Sequence, residues 1–171
     1  MEKNNLRKII KELLTEILDD PKIPNDIEIE DDGRLVIYKF KTDKNIYSTV
    51  FKKYSSFTSI GMTKDEDVNN IIQNSENFFY LSWGIFDESN KESPIDDINT
   101  NYNEELYVFN SIFGIILDFL KRNPDGIFYS ATRKRGNIYK KMLTKLNIGY
   151  STFDGIMNNF LVRNELLNSN D

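Results

Sequence analysis

NEELYVFNSIFGIILDFLKRNPDGIFYSATRKRGNIYKK, residues 103–141, strings a helix, a stop, a strand and a second helix into one run. Asn103-Glu104-Glu105 puts a cap and two carboxylates at a helix start, where free N–H groups and the helix dipole favour them. Val108, Phe109, Ile112, Phe113, Ile115, Ile116, Phe119 and Leu120 follow and leave the helix apolar nearly all round. A helix of that kind needs cover on more than one side, so the expectation is a long central helix lying across a sheet. Asn123-Pro124-Asp125-Gly126 supplies the stop and the turn. Ile127 to Ala131 then reads as a strand, and Arg135 to Leu146 as a helix with Ile138, Met142, Leu143 and Leu146 facing inward.

Upstream lies the expected sheet. Arg34 to Lys41 and Ile46 to Lys53 flank the turn residues Thr42-Asp43-Lys44-Asn45, and 34–53 reads as a hairpin. Ile27 to Ile29, set off by Asp31-Asp32-Gly33, and the aromatic run Phe78 to Phe86 around Trp83 add strands. Asp65 to Gln73 reads as a short helix, and the polar, acidic stretch 87–103 as a long loop with Pro94 in it. Gly149 to Leu167 suits two short strands or a terminal helix. At the start of the chain, Leu6, Ile9, Ile10, Leu13, Leu14, Ile17 and Leu18 recur at helical spacing until Asp19-Asp20-Pro21 ends the pattern. The expected fold class is therefore α+β: an N-terminal amphipathic helix (1–20), an antiparallel β-meander packed on the long central helix, then strand, helix and a short tail. Residues 1–171 form one domain without repeats or a linker.

Composition narrows the chemistry. With 39% hydrophobic residues the chain is apolar enough to build a packed core without staples. It contains no histidine and no cysteine, which excludes Ser–His and Cys–His nucleophiles, imidazole bases, thiolate zinc sites and disulfide scaffolds. No P-loop, dinucleotide fingerprint or EF-hand spacing occurs. The charged amphipathic start is unlike a signal peptide and no apolar run is long enough to span a bilayer, so the cytoplasm is the expected location, with no membrane partner. Asn, Lys and Ile abound, a bias typical of AT-rich genomes, and the expected source is bacterial, phage or mobile-element DNA.

A net charge of −5 disfavours non-specific binding to nucleic acid. The charge is uneven, with acids crowding 19–32 and 87–105 and bases crowding 121–145. Asp96, Asp97, Glu104 and Glu105 have the hard oxygen ligands that Mg²⁺ or Ca²⁺ takes, although a solvated acidic loop explains them equally. No metal or cofactor is expected. The basic candidate is Ser130, Thr132, Arg133, Arg135, Asn137 and Tyr139, where hydroxyls at a strand end meet guanidinium groups at a helix start. Such a convergence suits a phosphate, while pairing with acids from 87–105, or solvation, is the alternative. The interleaved Phe128, Tyr129 and Tyr139 leave nucleic acid open without supporting it, since core packing accounts for them.

Between Phe78 and Arg163 the chain resembles a group of bacterial proteins classed only as a domain of unknown function and frequent in Bacteroidetes. The matching residues are Trp83-Gly84-Ile85-Phe86-Asp87, then Ser130-Ala131-Thr132-Arg133-Lys134-Arg135-Gly136-Asn137-Ile138-Tyr139, and Phe160-Leu161-Val162-Arg163. Tyr38-Lys39-Phe40-Lys41-Thr42-Asp43 is similar to the group's opening hairpin. Ser130 replaces the group's glycine, and Gly84 is separated from Asp87. The resemblance implies the element order and a recurrent Arg135–Tyr139 pair, and it brings no activity. Asn137 and Tyr139 also resemble an acetyltransferase motif, but their spacing differs and its Gly-rich loop is missing. The expected function is a non-enzymatic adaptor or inhibitor with a protein partner, docking through Leu6, Ile10, Leu13 and Ile17, a stripe whose commoner use is packing on its own domain. The alternative is a phosphate-ligand protein or transferase built on 130–141.

Overall fold

The computed structural model describes residues 21–54, 70, 74–92, 94, 102–131, 133–153 and 158–163. The expected helices over Leu6 to Leu18 and over Asp65 to Gln73 fall outside these residues, apart from Asn70. The described chain is mixed α+β, with one seven-stranded sheet and two helices.

The strands are β1 (Glu28–Asp31), β2 (Leu35–Lys41), β3 (Ile46–Lys53), β4 (Phe78–Ile85), β5 (Gly126–Ala131), β6 (Ser151–Phe153) and β7 (Asn158–Arg163). Their order across the sheet is β1-β2-β3-β4-β5-β7-β6. The first four form an antiparallel meander, β4 and β5 run parallel, and β5, β7 and β6 are antiparallel again. Helix α1 (Tyr102–Leu120) connects the parallel pair, and α2 (Arg133–Lys145) follows β5.

The helix after β5 starts at Arg133, two residues ahead of expectation. Only Thr132 separates it from β5, so the three basic residues sit inside its first turn, which holds no acid to offset them. Asn123 and Asn147, just beyond the two helices, have φ of 53° and 55°. Asparagine tolerates that left-handed conformation, which ends a helix cleanly. In the β1–β2 turn, Gly33 takes φ 83° while the Asp31 and Asp32 carboxylates accept backbone N–H groups from Gly33, Arg34 and Leu35 at 2.7–2.9 Å.

Strand alternation divides the side chains between two faces. Val36, Tyr38, Phe40, Tyr47, Phe51, Phe79, Leu81, Ile127, Tyr129, Phe160 and Val162 share the main core with α1 and α2. Aromatic contacts hold α1 along its length. Phe119 stacks on Phe51 with ring centroids 3.7 Å apart and meets Phe79 edge-on at 4.9 Å, while Phe109 meets Trp83 at 5.4 Å. On the opposite face Phe78, Phe128 and Leu161 form a second cluster, against which Tyr54 and Tyr80 pack. Among the described residues, no helix is long and apolar enough to cross a membrane.

Three features fasten this assembly further. The backbone at Lys22–Ile23 passes so close to α1 that a Cβ added at Gly114 would lie 2.5 Å from the Lys22 carbonyl carbon. Burial near α1 also pushes the Tyr38 hydroxyl up to about 12, so it stays protonated and donates to Asp118 Oδ2 at 3.2 Å. Arg122 pairs with Asp31 and lies over the rings of Tyr38 and Phe119, which ties β1 to the end of α1.

Gly114→Ala should lower the melting temperature. Overpacking of this kind costs roughly 1–3 kcal/mol, against about 1 kcal/mol regained in helix propensity. A thermal melt decides, and an unchanged or raised midpoint would show that the Lys22–Ile23 crossing yields freely. The Gly33 amide first, and Arg122 next, hold the Asp31 carboxyl below its ordinary value. A carboxyl depressed in the folded state contributes stability above the unfolded value of about 4, and loses it as pH falls through the folded value. The melting-temperature gap between wild type and Asp31→Asn should therefore be full at neutral pH and close below about pH 4. A gap independent of pH would contradict the assignment.

Candidate functional site

Strands β2 and β4 both run antiparallel to β3, and β5 runs parallel to β4. The carboxyl ends of β2, β4 and β5 therefore share one end of the sheet, together with the start of each helix. Open sheets commonly bind ligands at such an end, beside a parallel pair. The basic segment 130–141 starts here, yet its candidate side chains diverge. Tyr129 and Ala131 face the main core, so the intervening Ser130, half-buried, points to the opposite face of the sheet. Tyr139 is 1% exposed, accepts the Trp83 indole N–H and packs against Phe109, Phe113, Tyr129 and Phe160. Asn137, two residues earlier on α2, is exposed on another side of the helix.

The structure thus separates Ser130, Asn137 and Tyr139 instead of gathering them, and Tyr139 serves the core. The backbones of Arg133 and Arg135 lie in the first turn of α2, while Thr132 falls outside the described residues. So do the stripe residues Leu6, Ile10, Leu13 and Ile17, and the acidic Asp96 and Asp97. Glu104, from the same acidic set, accepts a hydrogen bond from Thr42 Oγ1 at 2.7 Å. Among the described residues no group of three or more carboxylates is placed to hold a metal ion.

Three other surface features stand out. Strand β1 is exposed at all four positions and ends the strand order, with Ile29 46% exposed at its middle. A cleft of about 700 Å³ opens at the carboxyl end of β2, between Lys41–Lys44, Asp26, Glu104 and the half-exposed Tyr107. It mixes two lysines with three carboxylates and favours neither sign. A second cleft, of about 570 Å³, lies at the opposite end of the sheet around Arg34, Lys52, Lys53 and Tyr54. Its cations come from two places in the sequence, Arg34 and Lys52-Lys53, and meet through the register Leu35↔Lys52 and the bond from the Lys53 N–H to the Arg34 carbonyl at 2.7 Å. Counting outward from the turn at Thr42–Asn45 along both arms of the hairpin sets Arg34 opposite Lys53, so this pairing was readable in principle.

The segment after β4 reaches the second cleft by running back along the sheet. Phe86 lies under Lys39, with the ammonium 4.7 Å from the ring centre. Asp87 closes a turn by accepting the Ser89 N–H and hydroxyl at 2.9 and 2.7 Å. Lys91 then reaches Glu30 at 3.5 Å, and Glu92 pairs with Lys52. Compared with known proteins, the chain matches no family model and no curated protein.

Proposed function

We propose that the protein is a non-enzymatic adaptor or inhibitor that takes an extended, basic segment of a partner protein onto the outer edge of β1. The observation that carries this is the state of β1: exposed at every position, with β2 on one side and an apolar side chain, Ile29, standing out among Glu28, Glu30 and Asp31. An edge strand offers a row of backbone donors and acceptors to an added strand, which supplies affinity, while side chains at alternate positions supply selectivity. The acids choose between occupants. A second copy pairing edge to edge would set carboxylates against carboxylates, whereas a chain carrying Lys or Arg would meet opposite charge. Glu30 and Asp31 pair with Lys39, Lys91 and Arg122, and ion pairs this open to water exchange readily for a partner's Lys or Arg. The residues Leu6, Ile10, Leu13 and Ile17, whose spacing in the sequence is that of an amphipathic stripe, would give the same partner a further apolar contact.

The test replaces Ile29 with a photo-crosslinking residue in growing cells, identifies the adduct and purifies the partner. Its binding to wild type should weaken with salt, and should weaken roughly ten-fold or more in Ile29→Arg, as removal of a central apolar contact does. Because Ile29 is exposed, the variant should melt with wild type. A partner that binds Ile29→Arg unchanged, or the lack of any adduct from position 29, would overturn the proposal.

A further inference from the structure

The cleft at the β1–β2 turn has one more cation than carboxylate among its lining residues, a feature independent of what β1 binds. It draws three cations, Arg34, Lys52 and Lys53, to one end of the hairpin. Two carboxylates share the lining. Asp32 Oδ1 accepts the backbone N–H groups of Arg34 and Leu35 at 2.9 and 2.7 Å, so it closes the turn while its charge also acts on Arg34. Glu92 is different. It arrives on the returning segment Phe86–Glu92, pairs with Lys52, and is 53% exposed against 35% for the lysine. An ion pair that open to water is weak and readily exchanged. The Glu92 carboxylate thus stands where an anionic group from outside would sit.

Tyr54 adds a second kind of contact. It lines the cleft and packs partly against Phe78, Phe128 and Leu161, which hold it in place. A fixed aromatic ring beside a cluster of cations is the arrangement on which a base stacks while its phosphate is neutralised. The volume of about 570 Å³ is in the range of small-ligand sites. We infer that this cleft binds a phosphate carried on a planar base, a nucleotide unit either free or at the end of a single strand, and that Glu92 competes with that phosphate for Lys52.

The competition gives the test its sign. Binding of AMP, inorganic phosphate and a fluorescein-labelled dT10 is measured by calorimetry or anisotropy at low and at physiological salt. AMP should saturate the protein and bind more tightly than inorganic phosphate, and salt should weaken both. A tighter grip on dT10 than on AMP would assign the site to a strand end, and equal or weaker binding to the free nucleotide. Glu92→Gln should bind AMP roughly two- to five-fold more tightly, the factor that loss of an exposed ion pair releases. Arg34→Ala combined with Lys53→Ala should bind at least ten-fold more weakly while melting with wild type. Absence of saturable binding to wild type and to Glu92→Gln would overturn the inference. So would an affinity that does not rise in Glu92→Gln, or one that survives the double substitution.

Discussion

The parallel pairing of β4 with β5 obliges the chain to leave one end of the sheet and come back to the other, which no tight turn accomplishes. The crossing is made by α1, and much else follows from it. Because α1 must lie on the sheet, its sheet-facing side is apolar. Because the Lys22–Ile23 backbone passes over its far side, position 114 has room for hydrogen alone. The same constraint acts within the sheet at Gly126, where β5 first meets β4 on one side and β7 on the other. A methyl group there would run into the Phe78 ring and would stand 2.9 Å from the Val162 carbonyl oxygen. At this point the Phe78 ring and the Val162 carbonyl close in on β5, and glycine alone leaves them room.

How much of this was legible depends on the distance over which each element is specified. The hairpin 34–53 could be read because its turn and its alternation lie within twenty residues, and the observed register joins Lys41 to Ile46 as that turn requires. The apolar run in 106–120 likewise announces its helix from within. The place of β5 between β4 and β7 could not be read, since its neighbours are fixed by pairings across the length of the chain. Ile29 looks as apolar as Ile37, yet the first is 46% exposed and the second 1%. Only the order of strands in the sheet tells them apart.

The basic segment shows the same limit at the level of a site. A run of charge attracts attention because it is contiguous, but contiguity in a strand or helix scatters side chains over different faces. Ser130 and Tyr139 are divided by the sheet itself, and Asn137 by the pitch of α2. The cations Arg34, Lys52 and Lys53, which line one cleft, come from a turn and from the end of β3. Tyr139 was ambiguous from its position beside Ile138, and its ring settled among Phe109, Phe113, Tyr129 and Phe160.

The contact between the Trp83 indole and the Tyr139 hydroxyl joins β4 to α2, two elements far apart in the chain. Trp83 is also the chain's only tryptophan. Its emission spectrum therefore reports on one place, where the middle of the sheet meets Phe109 of α1 and Tyr139 of α2. A process that loosens either helix from β4 changes the indole's surroundings, whereas fraying of β1, at the end of the strand order, leaves them in place. The molecule thus carries a built-in optical probe for the seam between its sheet and its helices.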